Sequence, residues 1–399
     1  MKKICLSVVG LFITLFATFG QNTTDSSNYK PRKLTFEEAN LVSSYYKQDG
    51  NNSAVTGGLG TENLNDFSNT IDLKFVRWNK KDVKQTLQVE LGFDHYTSAS
   101  SDKIDPTTIS SASYADTRIY PSVTWTAENA AKGTTVGGGI SLSSEYDYKS
   151  IGANLSFAKK TANRNGEFSA SLHAYFDQLK YILPIELRPN QGRDDDDDDY
   201  ESKPRNSYSA SLSYSQIINQ RLQLMLIGDV VYQQGYLGLP FHRIYFNNSK
   251  ETIENLPDTR LKIPLGFRAN YFAGDKFIIR SFYRYYKDDW GLGAHTAQLE
   301  TSVKLSPFVS FTPFYRYYTQ YAVDYFAPIY GHGATENYVT SNYDLSTFNS
   351  HFYGAGFRLT PEKGVFGIHH LSALEARYGH YNRSNGLHSD IVTFNFQFK

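Results

Sequence analysis

Thiols are nearly absent from this chain. Its one cysteine, Cys5, lies inside an apparent export signal. The processed chain is therefore expected to have no disulfide, no zinc–thiolate site and no cysteine nucleophile. An excess of one charge is also lacking. Lys and Arg total 40 against 40 Asp and Glu, so no basic surplus points to a nucleic-acid partner. Long apolar runs are missing as well. Residues 4–17 fall short of the about 20 needed for a spanning helix, and no other segment reaches that length. Lys2 and Lys3 precede this run, and Thr18 and Gly20 put small side chains at −3 and −1 of a cut before Gln21. That is the pattern of a secretory signal. Cys5 is not placed as a lipoprotein cysteine at that cut.

What the chain does have is aromatic residues, with 31 Tyr and 27 Phe, and a two-residue beat. In 309–318 the odd positions read Val, Phe, Pro, Tyr, Tyr and the even ones Ser, Thr, Phe, Arg, Tyr. A strand sends alternate side chains to opposite faces. Leu261, Ile263, Leu265, Phe267, Ala269 and Tyr271 likewise alternate with Arg260, Lys262, Gly266, Arg268 and Asn270. Tyrosine suits the interfacial girdles of a membrane barrel, where one end of the ring is apolar and the other wet.

The fold class expected is all-β: a transmembrane antiparallel up-and-down β-barrel of about 16 strands, preceded by a cleaved signal peptide. The boundaries are a signal at 1–20, a periplasmic arm at 21–36 and the barrel at 37–399. Strands are expected near 68–79, 84–97, 115–128, 134–147, 149–160, 165–179, 206–217, 221–235, 259–272, 276–289, 293–305, 308–321, 348–360, 367–380 and 387–399. A further first strand falls at 41–48 or 54–62. Long loops near 98–114, 180–205, 236–258 and 322–347 alternate with short turns, as outer loops and periplasmic turns do.

Charges out of phase with the apolar positions face the lumen. The predicted pore lining is Arg268, Arg280, Arg284, Glu300, Arg316, Arg377, Asp229 and Glu90. Basic residues dominate from strand 259–272 onward, and acids such as Asp72, Glu90, Asp94, Glu145, Glu167 and Asp177 dominate earlier. One wall should be basic and the other acidic, a field that orients polar solutes. The opposing reading is internal neutralisation, with Arg284, Glu300 and Arg316 pairing across neighbouring strands.

The outer loops and rims carry a second set of candidates: Phe241, His242, Arg243, Asp288, Asp289, Trp290 and His295. Asp288, Asp289 and His295 would suit a rim-sited Asp/His hydrolase. Asp-Asp-Trp-Gly is also an ordinary tight-turn sequence. The loops 240–246 and 321–346 would form a lid or docking face, or seal the rim by packing on each other. The run Asp194–Asp199 reads as a solvated loop tip. It lacks the glycine of a calcium loop. No metal or cofactor is expected.

Several motifs carry a family resemblance: Pro240-Phe241-His242-Arg243-Ile244-Tyr245, Tyr283-Arg284-Tyr285-Tyr286-Lys287-Asp288-Asp289-Trp290-Gly291 and Pro313-Phe314-Tyr315-Arg316-Tyr317-Tyr318. The chain resembles a family of bacterial outer-membrane β-barrels classed as a domain of unknown function. The resemblance implies fold and location and brings no activity. The resemblance also implies, through an expectation that relatives neighbour periplasmic flavin-transfer and thioredoxin-like proteins, an exported redox partner.

The reading is a porin-like or substrate-guided channel for small polar solutes, and not an enzyme. The alternative is a non-conducting scaffold that docks an exported periplasmic or surface partner, with the rim hydrolase third. Outer-membrane lipid and the barrel-insertion machinery are the other partners expected.

Overall fold

A computed structural model describes residues 30–97, 115–187 and 200–399. The expected signal peptide, most of the arm and the aspartate run lie outside these residues. Among the described residues, strands follow one another in the order β1 (Thr35–Asp49), β2 (Leu64–Trp78), β3 (Lys84–Thr97), β4 (Ala115–Asn129), β5 (Thr134–Ser144), β6 (Tyr148–Lys160), β7 (Gly166–Lys180), β8 (Ser202–Asn219) and β9 (Leu222–Gly235). A short hairpin, β10 (Arg243–Tyr245) and β11 (Glu251–Ile253), interrupts the series. It resumes with β12 (Thr259–Ala273), β13 (Phe277–Asp288), β14 (Gly293–Ser306), β15 (Val309–Gln320), β16 (Phe348–Leu359), β17 (Leu371–Arg383) and β18 (His388–Phe398).

All strands except β10 and β11 join in one closed antiparallel barrel. β1 closes the ring on β18, in register from Ala39 opposite Phe398 to Asp49 opposite His388. The barrel has 16 strands, since all 18 but the hairpin pair belong to it. Of the two stretches expected for the first strand, 41–48 lies in β1, while Ala54–Thr56 is a single 3-10 turn in the loop that follows. Loop 50–63 is thus an outer connection not anticipated as one. The expected strand 367–380 starts later, at Leu371, after a turn at Val365–Gly367. Glu145 also moves from strand to turn, because β5 ends at Ser144.

Two-residue alternation explains why these segments are strands here. Leu261, Ile263, Leu265 and Phe267 are exposed on the outside of the barrel. Leu299, Tyr283, Tyr315, Leu155 and Leu172 are exposed likewise. Such a continuous exposed apolar surface is untenable in water and is what a lipid-facing wall requires. Closure pairs every barrel strand on both sides and leaves the wall no edge.

Prolines mark the weak points of the wall. Proline has no N–H to donate, so inside a sheet it removes a ladder bond. The β4–β5 register passes from Ile119 to Ser122 across Pro121. The β9–β12 register passes from Lys262 to Leu265 across Pro264. The β14–β15 register passes from Phe314 to Phe311 across Pro313.

Among the described residues, the connections 50–63, 236–258 and 321–347 emerge at one end of the barrel, the end at which β3 and β7 stop and β4 and β8 start. The opposite end carries mostly tight turns, such as 274–276 and 307–308, together with residue 30 and the C-terminal residue. By the usual disposition of such barrels the long-loop end is the outer one.

Candidate functional site: the lumen and its capped mouth

Alternation puts Arg280, Arg284, Phe282, Tyr286 and Asp288 of β13 on the inner face, opposite exposed Tyr283 and Tyr285. Glu300 of β14 lies directly across from Arg280. Its Oε1 accepts from Arg280 at 2.9 Å, and its Oε2 accepts from Arg377 of β17, also at 2.9 Å. Arg377 further stacks on Phe314 at 4.1 Å. Arg280, Glu300 and Arg377 therefore form a neutralising bridge, two cations on one anion.

That bridge occupies the carboxylate that Arg284 and Arg316 were expected to share. The register explains why. Arg284 lies opposite Thr296 and Arg316 opposite Gln298, each out of line with Glu300. Arg316 Nε donates to the neutral Gln298 Oε1 at 2.9 Å. Arg284 has Asp229 of β9 at 3.9 Å, the outer limit of an ion pair. Arg268 of β12 sits 5.6 Å over the Phe282 ring. Neutralisation across the wall therefore falls on Arg280, Glu300 and Arg377, and not on the expected set of Arg284, Glu300 and Arg316.

Glu90 lies on the other arc of the barrel, directly opposite Asp72 in the β2–β3 register. Asp94 accepts from Ser68 and Tyr120, with Arg118 at 3.7 Å. Nearer the outer end, carboxylate oxygens of Asp116, Glu145 and Asp147 lie within 4.8 Å of one another. Asp116 accepts the amides of Thr117 and Tyr146, and Glu145 the hydroxyl of Tyr96. Burial pushes the Glu145 carboxyl up, with the neighbouring Asp147 and Asp116 carboxylates acting the same way. This cluster escaped sequence reading because Asp116, at the start of β4, meets Glu145 and Asp147 only once β4 and β5 pair in the barrel.

Inside the barrel, Arg284, Arg316, Gln298, Phe282, Phe352 and Tyr318 line a cavity of about 700 Å³ along β13–β18 and β1. Tyr318 also packs with Tyr286 beneath an apolar cluster of Leu256, Trp290, Leu292, Ala294 and Val323. That cluster is the base of a cap knitted from the outer loops.

The cap has a buried core of its own. Ile244 is 0% and Val339 2% exposed. Asn255 and Val339 pair their backbones across two loops, and Phe246 bridges His332. Arg243 donates to Glu186 and to the Val55 carbonyl, joining three loops. Phe241 packs on Val55. His242 Nδ1 lies 3.4 Å from Glu254 Oε2. Glu254 also accepts from Thr340 Oγ1 and the Leu239 amide. The loop motifs therefore pack on one another.

Burial alone would raise the Glu254 pKa. The His242 ring, the Thr340 hydroxyl and the Leu239 amide outweigh it and hold the group below its ordinary 4.5. A depressed folded pKa stabilises above the unfolded value and loses that contribution as pH falls through the folded one. The Val339 amide, bonded to Asn255 O at 2.8 Å, should keep its exchange protection from neutral pH down to the glutamate range and lose it below. E254Q should lower that protection about tenfold or more at neutral pH, as loss of a buried charge-assisted contact does. Exchange factors corrected for intrinsic pH dependence measure both.

The rim motif is structural. Asp288 Oδ1 accepts the amides of Trp290 and Leu292, and Oδ2 accepts from Arg260 and Tyr286. Asp289 Oδ1 caps the Leu261 amide. Gly291 takes φ +90 within the turn. His295 points the other way. Its Nδ1 meets the Tyr283 hydroxyl at 2.7 Å on the outer face, and Tyr285 lies against its ring. The expected Asp288–His295 grouping is therefore corrected. The two side chains sit on opposite faces because their positions differ in phase. Asp94 and His95 are split in the same way, with His95 bonded to Thr117. His351 repeats the His295 arrangement with Tyr315 and Tyr317. The two Phe-Tyr-Arg-Tyr-Tyr copies thus each supply an outward Tyr-x-Tyr clamp for a histidine and an inward arginine.

A closed antiparallel barrel with an apolar exterior and a charged interior defines an integral β-barrel of the outer membrane. Within that class, the chain belongs to the family described as "Protein of unknown function (DUF3570)", whose model matches residues 80–393. No match was found among curated protein sequences. Solved structures similar to it include OccD3 (OpdP) of Pseudomonas aeruginosa, at 10% identity and TM-score 0.44 over 94% of this chain and 93% of that one. OprD of the same organism gives 10% identity and TM-score 0.42 over 93% and 95%. OccK2 (OpdF), also from that organism, gives 10% and 0.42 over 90% and 97%.

Proposed function

We propose that the protein is a porin-like or substrate-guided channel for small polar solutes, exported behind a leader cut near Gly20. The observation that carries this reading is the lumen cavity of about 700 Å³ with Arg284 and Arg316 on its wall. Their guanidiniums face water-accessible space, and Arg284 is 47% exposed although it points inward. A purely structural wall would bond such cations to carboxylates, as Arg280 and Arg377 are bonded. A ring of charge left open to the lumen sets ion preference.

The test is conductance of the refolded full-length barrel in a planar bilayer. Discrete steps with anion preference are expected, and R284A/R316A should move that preference toward cations. A folded barrel that gives no steps overturns the reading.

A second reading, a scaffold that docks an exported partner, draws on the cap. Its loops expose Leu59, Tyr321, Tyr330 and Tyr338, the aromatic surface that a docked protein would cover. A silent barrel that retains a periplasmic or surface protein in pull-downs, and loses it on Y330A/Y338A, would favour it.

A further inference from the structure

We propose that the outer rim of the wall over β13–β16 binds the phosphate group of an outer-leaflet lipid, held by Lys287, His295 and His351. This site lies on the outside of the barrel and stands whether or not the lumen conducts. It uses the part of the repeated Phe-Tyr-Arg-Tyr-Tyr element that the lumen leaves aside, its outward tyrosines.

Charge comes first. The carboxylates on these four strands are Asp288 and Glu300, and both face inward on Arg260 and on Arg280 and Arg377. The outward face of the same strands therefore carries donors with no carboxylate of its own. Lys287 is exposed there and forms no ion pair among the described residues. It stands opposite Gly293, beside the cross-strand pair of Tyr285 and His295. His295 lies opposite Thr319, Thr319 opposite Asn349, and His351, the next outward position of β16, opposite Tyr317. Lys287, His295, Thr319, Asn349 and His351 thus run side by side across four strands. The turn carboxylate Asp289 is directed to β12, where it accepts the Leu261 amide. The row also has a depth. Lys287 is the last residue but one of β13, His295 the third of β14 and His351 the fourth of β16 from the outer end, whereas Leu265 is the seventh of β12. At about 3.3 Å per residue along a tilted strand, the row stands above the acyl chains, at the level of the headgroups. Lipid phosphates are the anions met there.

Geometry comes second. The Tyr283 hydroxyl donates to His295 Nδ1 at 2.7 Å, and Tyr285 packs on the same ring at 5.3 Å. Tyr315 and Tyr317 hold His351 in the same way, at 2.7 and 5.3 Å. A hydroxyl donating to Nδ1 leaves the ring proton on Nε2. Neither Nε2 makes a hydrogen bond among the described residues, so each ring presents a fixed N–H to its surroundings. An aromatic girdle needs only tyrosine or tryptophan, and gives no reason to hold an imidazole in one tautomer twice over. A phosphate gives one, because its oxygens accept such donors and Lys287 adds a charged one. Deeper on the same wall, Leu299 and Phe357 are exposed to the acyl chains, so one lipid meets the wall with both its head and its tails. His380 supplies the contrast. Its Nδ1 lies 2.8 Å from Asp390, a carboxylate that would repel a phosphate at that ring.

The experiment uses the refolded full-length barrel in a neutral detergent, with folding checked by heat-modifiable migration. Lipid A, a bis-phosphorylated glycolipid, is titrated and followed by native mass spectrometry, with its dephosphorylated form as comparator. The unaltered barrel should bind the phosphorylated lipid about tenfold or more tightly, as expected for charge-assisted bonds. K287Q/H295F/H351F, which keeps rings for the tyrosines to pack on, should lose that preference, and H380F should keep it. The comparison of the two lipids on the unaltered barrel stands even where the triple variant fails to fold. Equal binding of the two lipids there, a preference retained by the folded triple variant, or one lost to the same degree in H380F overturns the proposal. Inorganic phosphate, titrated calorimetrically, should bind far more weakly than lipid A, because it lacks the chains that Leu299 and Phe357 meet. Equal affinity would mean a site for a free anion and overturn the lipid.

Discussion

Arginine at position 265 is expected to stop the barrel from assembling, while arginine at position 270 of the same strand is not. Leu265 is 50% exposed on the outer face of β12. It stands near the middle of a strand running from Thr259 to Ala273, opposite Gly228 on one side and Tyr285 on the other. A residue so placed meets the acyl chains close to the bilayer midplane. Arginine there costs about 2–4 kcal/mol, falling toward the interfaces. Its neighbours offer no inward escape for the charge, because alternation sends every second side chain outward. Asn270 is out of phase with Leu265 and donates to Gln223 across the lumen-facing wall. N270R adds one more cation to a wet interior. The readouts are the heat-modifiable folded fraction after refolding into lipid vesicles and the urea midpoint. L265R should shift both strongly and N270R little. Equal tolerance of the two would mean that the faces of β12 are reversed.

That contrast was legible in the sequence because it needs only the period of two. Face assignment, strand number and the even alternation of long and short connections all follow from local pattern. The individual charge partners do not. Arg284, Glu300 and Arg316 lie on three consecutive strands, and inspection by strand alone would join them. The register shifts the partnership by a few residues, so that Glu300 meets Arg280 and, across the lumen, Arg377. Register is fixed by the turns and by the whole set of cross-strand contacts, so it is absent from any one strand's pattern. The cap was out of reach for a related reason. Glu254, His242 and Thr340 come from two loops with no periodicity, and their meeting depends on the closed ring that brings those loops over one mouth. His295 shows the converse. A cluster of chemically suitable residues in sequence was separated in space by the same alternation that built the wall.

The most damaging single truncation inside the protein should be Asp288→Ala. The Asp288 side chain is 0% exposed, yet it carries a charge. Its cost of burial is offset by five contacts: Arg260 through two nitrogens, the Tyr286 hydroxyl, and the amides of Trp290 and Leu292. Arg260 is itself largely buried, with its guanidinium 4.2 Å over the Trp290 ring. Removing the carboxylate strands that cation, orphans two amides and unties the turn on which Trp290 and Leu292 hold the base of the cap. Breaking one side of a buried pair costs about 3–5 kcal/mol. Asp289→Ala, one residue along, is the matched comparison. Asp289 is exposed and its side chain accepts one hydrogen bond, from the Leu261 amide, so its loss should cost about 1 kcal/mol. Urea unfolding in vesicles gives both values, and exchange at Val323 and Leu345 amides, which tie the 321–347 loop to itself and to Trp290's cluster, reports whether the cap loosens first. A D288A barrel as stable as D289A would show that Arg260 finds water or another partner at the mouth. The cap would then rest on its apolar cluster rather than on this ion pair.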